Sequence, residues 1–216
     1  MFIAAVVVTY NRLNLLHVCL DAIAKQTIPL GKIYLVNNAS TDGTDKWVKE
    51  FALEFYPNLK YIRLEENLGG AGGFAFGIKK AYEDGADYIW IMDDDVAPRA
   101  DCLETLLDSC GDAGIIHPTR YDPDGQVIRW HQYYDPFTTI RTYTNIEEDD
   151  EEYLVATNVA CFEGALIKRK VIDLVGVPPE KFFISHDDMI YGFLASRKFL
   201  ILYTSKVEDA YNYYSE

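Results

Sequence analysis

The residues best suited to chemistry close the stretch "YIWIMDDDVAP", Tyr88 to Pro98, in which an apolar run ends in Asp93, Asp94 and Asp95. Carboxylates this close resist joint ionisation, so something positive is expected among them. At a strand end, carboxylates can share one divalent cation through oxygen ligands, and Mg²⁺ or Mn²⁺ held this way keeps positions open for substrate phosphates. The alternative is a helix N-cap followed by solvated acids, because Asp95 precedes "VAPRADCLETLL". A cap needs one aspartate, not three. A second acidic pair, Asp187 and Asp188 in "SHDDMIYG", follows the apolar "FFI" at an expected helix start. A carboxylate in a partly apolar pocket is tuned upward toward general-base work. An ordinary aspartate N-cap is the competing reading there.

A third stretch, "NLGGAGGFAFG", sets Gly69, Gly73 and Gly77 four apart, on one face of a helix. That face admits another backbone or a bulky ligand at close range, and a glycine-rich helix start offers N–H groups to an anion or a sugar hydroxyl. Tight helix-on-sheet packing explains the same spacing. No Gly-Lys-Ser/Thr follows, so this is not a Walker loop, and no GxGxxG follows the first strand. The four histidines lack metal spacing, and neither a Ser-His-Asp order nor a G-x-S-x-G elbow occurs.

These motifs need a scaffold. "FIAAVVV", "KIYLV", "KYIRL", "DYIWIM" and "GIIHP" read as strands, the first buried on both faces. Between them, Leu15, Leu16, Cys19, Leu20 and Ile23, then Trp47, Val48, Phe51 and Phe55, then a stretch reaching Tyr82, then Leu103, Leu106 and Leu107 fall at helical spacing. This alternation predicts an α/β fold: a mostly parallel central sheet with helices on both faces. Ligands in such sheets bind at the carboxyl ends of the strands, and each polar motif follows a strand, so the motifs should gather on one edge. After about residue 120 the pattern breaks into turn signals and aromatic, β-rich flanks, which predict a small antiparallel excursion. Residues 153–176 read as strand then helix. The expected organisation is one domain in two halves, 1–120 and 121–216.

Composition narrows the function. A formal net charge of −14 argues against sequence-independent nucleic-acid binding and against a polybasic membrane anchor. Part of it is the run Glu147 to Glu152, which reads as a solvated loop. The 16 tyrosines suit surfaces that stack and hydrogen-bond, as sugar or peptide sites do, or a tyrosine-rich core. The four cysteines form no CxxC pair; three of them read as small core residues, and a reducing cytoplasm is the simplest compartment. The apolar start lacks a basic region and reads as a strand, and no run approaches the ~18 apolar residues of a membrane span.

Taken in order, "VVVTYNR", "LVNNASTDGT", "ENLGGAGGFAFG", "ADYIWIMDDDVAP" and "FFISHDD" resemble family 2 glycosyltransferases of the GT-A fold. The branch they resemble contains bacterial galactofuranosyltransferases and rhamnosyltransferase-like proteins. The resemblance covers roughly residues 2 to 205. It implies inverting transfer from a UDP- or dTDP-linked sugar with Mg²⁺ or Mn²⁺. Carried over, it places metal ligands at Asp93 and Asp95, and the nucleotide sugar at Thr9, Tyr10, Asn11, Arg12, Asn37, Asn67, Gly69, Gly70 and Asp94. It places the base at Asp188, and acceptor contacts at Phe162, Glu163 and Asp187. Many members have an aspartate where Asn37 stands. Several carry a histidine ligand about twenty residues after the base; here the expectation is either that Glu208 or Asp209 substitutes for it or that the chain stops before the family's C-terminal segment. Glycan or lipid-linked acceptors of cell-envelope polysaccharide synthesis, and a cytoplasmic place at the inner membrane face, are implied by the same resemblance. The rival readings are a non-catalytic nucleotide-sugar or glycan-binding domain, a sugar nucleotidyltransferase and a small acidic interaction protein.

Overall fold

The computed structural model describes residues 1–122, 124, 126–128, 132–138, 141–143, 154–184, 186–205 and 210–212. In chain order, β1 (Ile3–Thr9), α1 (Leu13–Ala24) and β2 (Lys32–Asn37) lead into α2 (Thr44–Trp47). A π turn (Val48–Ala52) joins α2 to α3 (Leu53–Phe55), and β3 (Leu59–Arg63), α4 (Gly69–Glu83), β4 (Tyr88–Asp93), β5 (Val96–Pro98), α5 (Cys102–Ser109) and β6 (Ile115–Pro118) follow. The short strands β7 (Arg120–Tyr121), β8 (Val127–Ile128), β9 (Gln132–Tyr134) and β10 (Arg141–Tyr143) come next. Then come β11 (Leu154–Thr157), β12 (Ala165–Lys168), α6 (Arg169–Val175), α7 (Asp187–Ser196), β13 (Ile201–Thr204) and β14 (Ala210–Asn212).

The main sheet has eight strands in the order β11-β13-β6-β12-β4-β1-β2-β3. Strands β4, β1, β2 and β3 run parallel, as the alternation predicts, and β13 is parallel to β6. Antiparallel β12 is inserted between β4 and β6, so the sheet draws strands from both segments of the chain. Residues 153–176 thus hold two strands before their helix rather than one. Only the pairing of β12 with β4 and β6, distant in sequence, makes it a core strand.

Both faces of the sheet are covered. In β1, Ala5 and Val7 point into the layer formed with Leu16, Cys19, Leu20 and Ile23 of α1, while Ala4, Val6 and Val8 point into the layer holding Phe74, Ile78 and Ala81 of α4. Alternate strand residues face opposite sides, which is why a continuous apolar run suits this position. All four cysteines are buried and free. His17 stacks on Trp47 with ring centroids 3.8 Å apart. The β7–β8 pair is the expected antiparallel excursion, and β14 returns to join β5 and β7 in a small sheet. Among the described residues no helix is long and apolar enough to cross a membrane.

Candidate active site

Parallel register sets the geometry. Val8 of β1 lies opposite Asp93 of β4, and Thr9 opposite Asn37 of β2, so the loops leaving three strands emerge at one edge. Strand β12 runs the other way, so the residues just before it reach the same edge; the Gly164 N–H bonds to the Ile91 carbonyl at 2.9 Å. A cleft of about 400 Å³ opens there. Its walls bring together Thr9, Tyr10, Arg12, Asn67, Gly69, Gly70 and the three aspartates with Phe162, Glu163, Asp187 and Asp188.

The positive partner expected for the aspartates is Arg12. Its guanidinium donates to Asp95 at 2.8 Å and to Asp94 at 3.4 Å. The Thr9 hydroxyl donates to the other Asp94 oxygen at 2.6 Å, so Asp94 is tied to β1. Burial pushes Asp94 up to about 6, against the pull of Thr9 and Arg12. Burial, then Asp95 and Asp94, push Asp93 well above the usual carboxylate range. The Asp93 carboxylate accepts no hydrogen bond from any described residue. The capping alternative fails, because Asp95 runs into β5 and the next helix begins at Cys102.

The donor set suits a hard cation, being all carboxylate oxygen, with Asp93 left unbonded and partly buried. Among the described residues no three His, Cys, Asp or Glu side chains are grouped to hold a metal ion. A cation held by Asp93 and Asp95 would have to draw its remaining ligands from substrate and water. Glu208 and Asp209 lie outside the described residues, as does the acidic run 147–152.

Asn11 and Asn37 do not line the cleft; they build its wall. The Asn11 Oδ1 accepts from the Thr41 N–H at 2.7 Å, and its own N–H reaches the Ser40 hydroxyl. Asn37 is fully buried, its Oδ1 accepting from the Ser40 N–H and its Nδ2 donating to the Tyr61 hydroxyl. Asp42 caps the start of α1 through the Leu13 N–H at 2.9 Å. The turn "NNASTDGT" is thus a clamp on the loop after β1. Asn38, which the sequence reading passed over, lines the cleft and donates to the Gly69 carbonyl. Tyr10 stands 45% exposed in the wall, a ring surface open to a ligand.

The glycine stripe on α4 divides by function. A Cβ on Gly73 or Gly77 would strike Val8 or Val6, so these two serve helix-on-sheet packing. Gly69, at φ +72°, lies against the backbone of Phe183; a Cβ there would come within 2.0 Å of its carbonyl oxygen. The anion-binding reading of this helix start is narrowed, because the Gly69 N–H is taken by Asn67 Oδ1 and the Ala71 N–H by the Phe183 carbonyl. Gly70 faces open space.

The segment bearing the second acidic pair is held from both sides. Phe183 and His186 both adopt positive φ, a strained backbone for these residues that recurs at functional sites. A Cβ on Gly192, in the second turn of α7, would lie 2.0 Å from the Ala160 backbone, so only glycine lets α7 pack this closely here. His186, not an aspartate, is the cap residue, leaving both acids inside the first turn. Burial raises Asp187. Burial also lifts Asp188 to about 6, against the Met189 N–H donating to it; Asp187 adds to the rise, and His186 and Arg120 oppose it. Behind this wall Arg120, 2% exposed, forms an ion pair with Glu163. Nothing local in the sequence marks Arg120; the pair joins residues 43 positions apart.

A model of glycosyl transferase family 2 matches residues 4–176, most of the chain. The chain belongs to glycosyl transferase family 2. Within the family it is similar to galactofuranosyltransferase GlfT1 of Mycolicibacterium smegmatis, at 30% identity over 199 residues that cover 87% of this chain. The chain spans 63% of that relative's length. Among solved structures it is similar to Staphylococcus aureus TarS in complex with UDP-GlcNAc, with TM-score 0.72 and 18% identity, over 100% of this chain and 59% of that one. It is also similar to the mannosyltransferase PcManGT of Pyrobaculum calidifontis in complex with GDP-Man and Mn²⁺, with TM-score 0.70 and 22% identity, over 97% and 56%. At such identities the likeness is one of fold, and this family 2 chain has the GT-A glycosyltransferase fold.

Proposed function

We propose that this chain transfers a hexosyl group, with inversion, from a nucleoside diphosphate sugar to a hydroxyl of a glycan or lipid-linked acceptor. The observation that carries the reading is the meeting of Asp93, Asp95 and Asp188 in one cleft with Tyr10 and the Gly69–Gly70 turn. The tyrosine ring suits the nucleobase, and the open Gly70 backbone admits the diphosphate or sugar. Asp93 and Asp95 would hold Mg²⁺ or Mn²⁺, which supplies positive charge opposite the diphosphate oxygens. Arg12 adds charge on the same side.

The acceptor oxygen bonds to the anomeric carbon as the bond from that carbon to the phosphate oxygen breaks. Asp188 takes the hydroxyl proton, and its carboxyl, lifted to about 6, is mostly ionised at neutral pH and still basic enough to accept. Glu163, held by Arg120, is placed to orient the acceptor or the sugar. The UDP-GlcNAc and GDP-Man complexes of the two similar structures support the donor class. A thermal-shift panel of UDP-, dTDP- and GDP-sugars with and without Mn²⁺ tests it. A rise of several degrees for one donor, only with metal, is expected. No rise for any donor, with metal, overturns the reading.

A further inference from the structure

Asp188 lines two cavities. Besides the donor cleft, it borders a second one of about 350 Å³. Gln132 of β9, Arg141 of β10, Val159, Ala160 and His186 line this cavity with it. The base thus stands in the partition between the two spaces.

Gln132 is only 6% exposed, and its backbone carbonyl is used by the Thr157 hydroxyl. Its side-chain amide makes no hydrogen bond with any described residue. Gln132 lines the cavity, and its side-chain amide, a donor and an acceptor together, matches a pair of neighbouring sugar hydroxyls. Arg141 is exposed at the same cavity and forms no ion pair with any described residue. A guanidinium binds carboxylate or phosphate through two parallel bonds. In a chain of net charge −14, a guanidinium at this cavity with no ion-pair partner among the described residues is an attractor for an anion.

We propose that this second cavity is the acceptor subsite, and that the acceptor is a saccharide bearing an anionic group, its hydroxyls on Gln132 and its phosphate or carboxylate on Arg141. The assignment of the cavity to the acceptor rests on the transferase reading above.

The test uses protein saturated with UDP and Mn²⁺, so that the donor cleft is filled. Glucose, galactose and mannose, their 6-phosphates and their uronic acids are titrated by calorimetry and saturation-transfer NMR. At least one anionic sugar should bind about tenfold or more tighter than its neutral parent. The 6-phosphates and uronic acids separate the two anion sources. Arg141→Met, a surface change, should abolish the preference. Gln132→Leu, with its fold checked by melting, should weaken neutral and anionic sugars alike by about tenfold. Neither should change UDP–Mn²⁺ affinity by more than about twofold, since neither residue lines the donor cleft. Absence of binding by every sugar, or a preference that survives Arg141→Met, overturns the proposal. Failure of UDP–Mn²⁺ to bind the wild type refutes the donor reading instead; the same contrast between variants, measured without nucleotide, then decides the cavity by itself.

Discussion

Replacing Asp188 by asparagine should make the protein a poorer enzyme and a more stable fold. Burial lifts this carboxyl from 3.8 to about 6. Moving a pKa this far corresponds to about 3 kcal/mol that the ionised form costs the folded state. The sign follows from linkage. A carboxyl whose folded pKa lies above its unfolded one favours folding fully below about pH 4, and that contribution is lost as pH rises through about 6. At pH 7.5 the wild type therefore carries the full penalty. Asparagine removes it while its Oδ1 can keep the 2.6 Å bond from the Met189 N–H. Neighbouring Asp187, His186 and Arg120 share the relief, so a gain of about 1–3 kcal/mol is expected, or roughly 3–10 °C in Tm. The gap should close as both proteins are melted toward pH 4, where Asp188 is neutral too. Transfer should fall about 100-fold or more, with UDP–Mn²⁺ affinity unchanged within about twofold. Wild-type turnover should climb as pH rises through about 6, when the base ionises. An Asp188→Asn protein no more stable than wild type at pH 7.5, or one that turns over normally, refutes the reasoning.

Gly69→Ala should lower stability by about 2 kcal/mol or more, because the added Cβ meets the Phe183 carbonyl and φ is +72°; a Tm within one degree or so of wild type counts against the packing described. Arg120→Met should cost about 2–4 kcal/mol by leaving Glu163 without its partner, and Arg120→Met/Glu163→Gln should recover part of that. The same variant should move the acid limb of turnover to higher pH, since Arg120 opposes the rise of Asp188; an unmoved limb would assign Arg120 a packing role alone. Tyr10→Ala should weaken UDP binding about tenfold by calorimetry, the scale of one lost ring–base stack, and an unchanged Kd would remove Tyr10 from the nucleotide wall.

Much of this architecture is written in local pattern. Strands β1, β2, β3, β4 and β6 and the helices between them appear in the sequence as apolar runs and helical spacing, because burial on one or both faces dictates residue type every second or every fourth position. The convergence of the motifs on one sheet edge follows from the same alternation, since parallel strands must leave their loops on one side. Other features leave no local trace. The insertion of β12 between β4 and β6, and the return of β14 to β5, pair residues far apart in the chain.

The site divides along the same line. Residue types singled out the aspartates and the glycine-rich helix start, the family resemblance added Thr9, Tyr10 and Arg12, and Thr9, Tyr10, Arg12, Gly69, Gly70, Asp93 to Asp95 and Asp188 line one cleft. Tertiary structure decided which of them face it. Asn11 and Asn37 turn away because their amides are consumed by Ser40, Thr41 and Tyr61. Arg120 gains its place because a buried cation needs the carboxylate of Glu163. Gln132 borders a cavity because β9 is held by the Thr157 hydroxyl on the Gln132 carbonyl and by Asn158 on the Tyr134 backbone. Composition and periodicity determine which groups a chain possesses and which face of an element they occupy; hydrogen bonding across the fold determines which of those groups are already spent and which are left for a ligand.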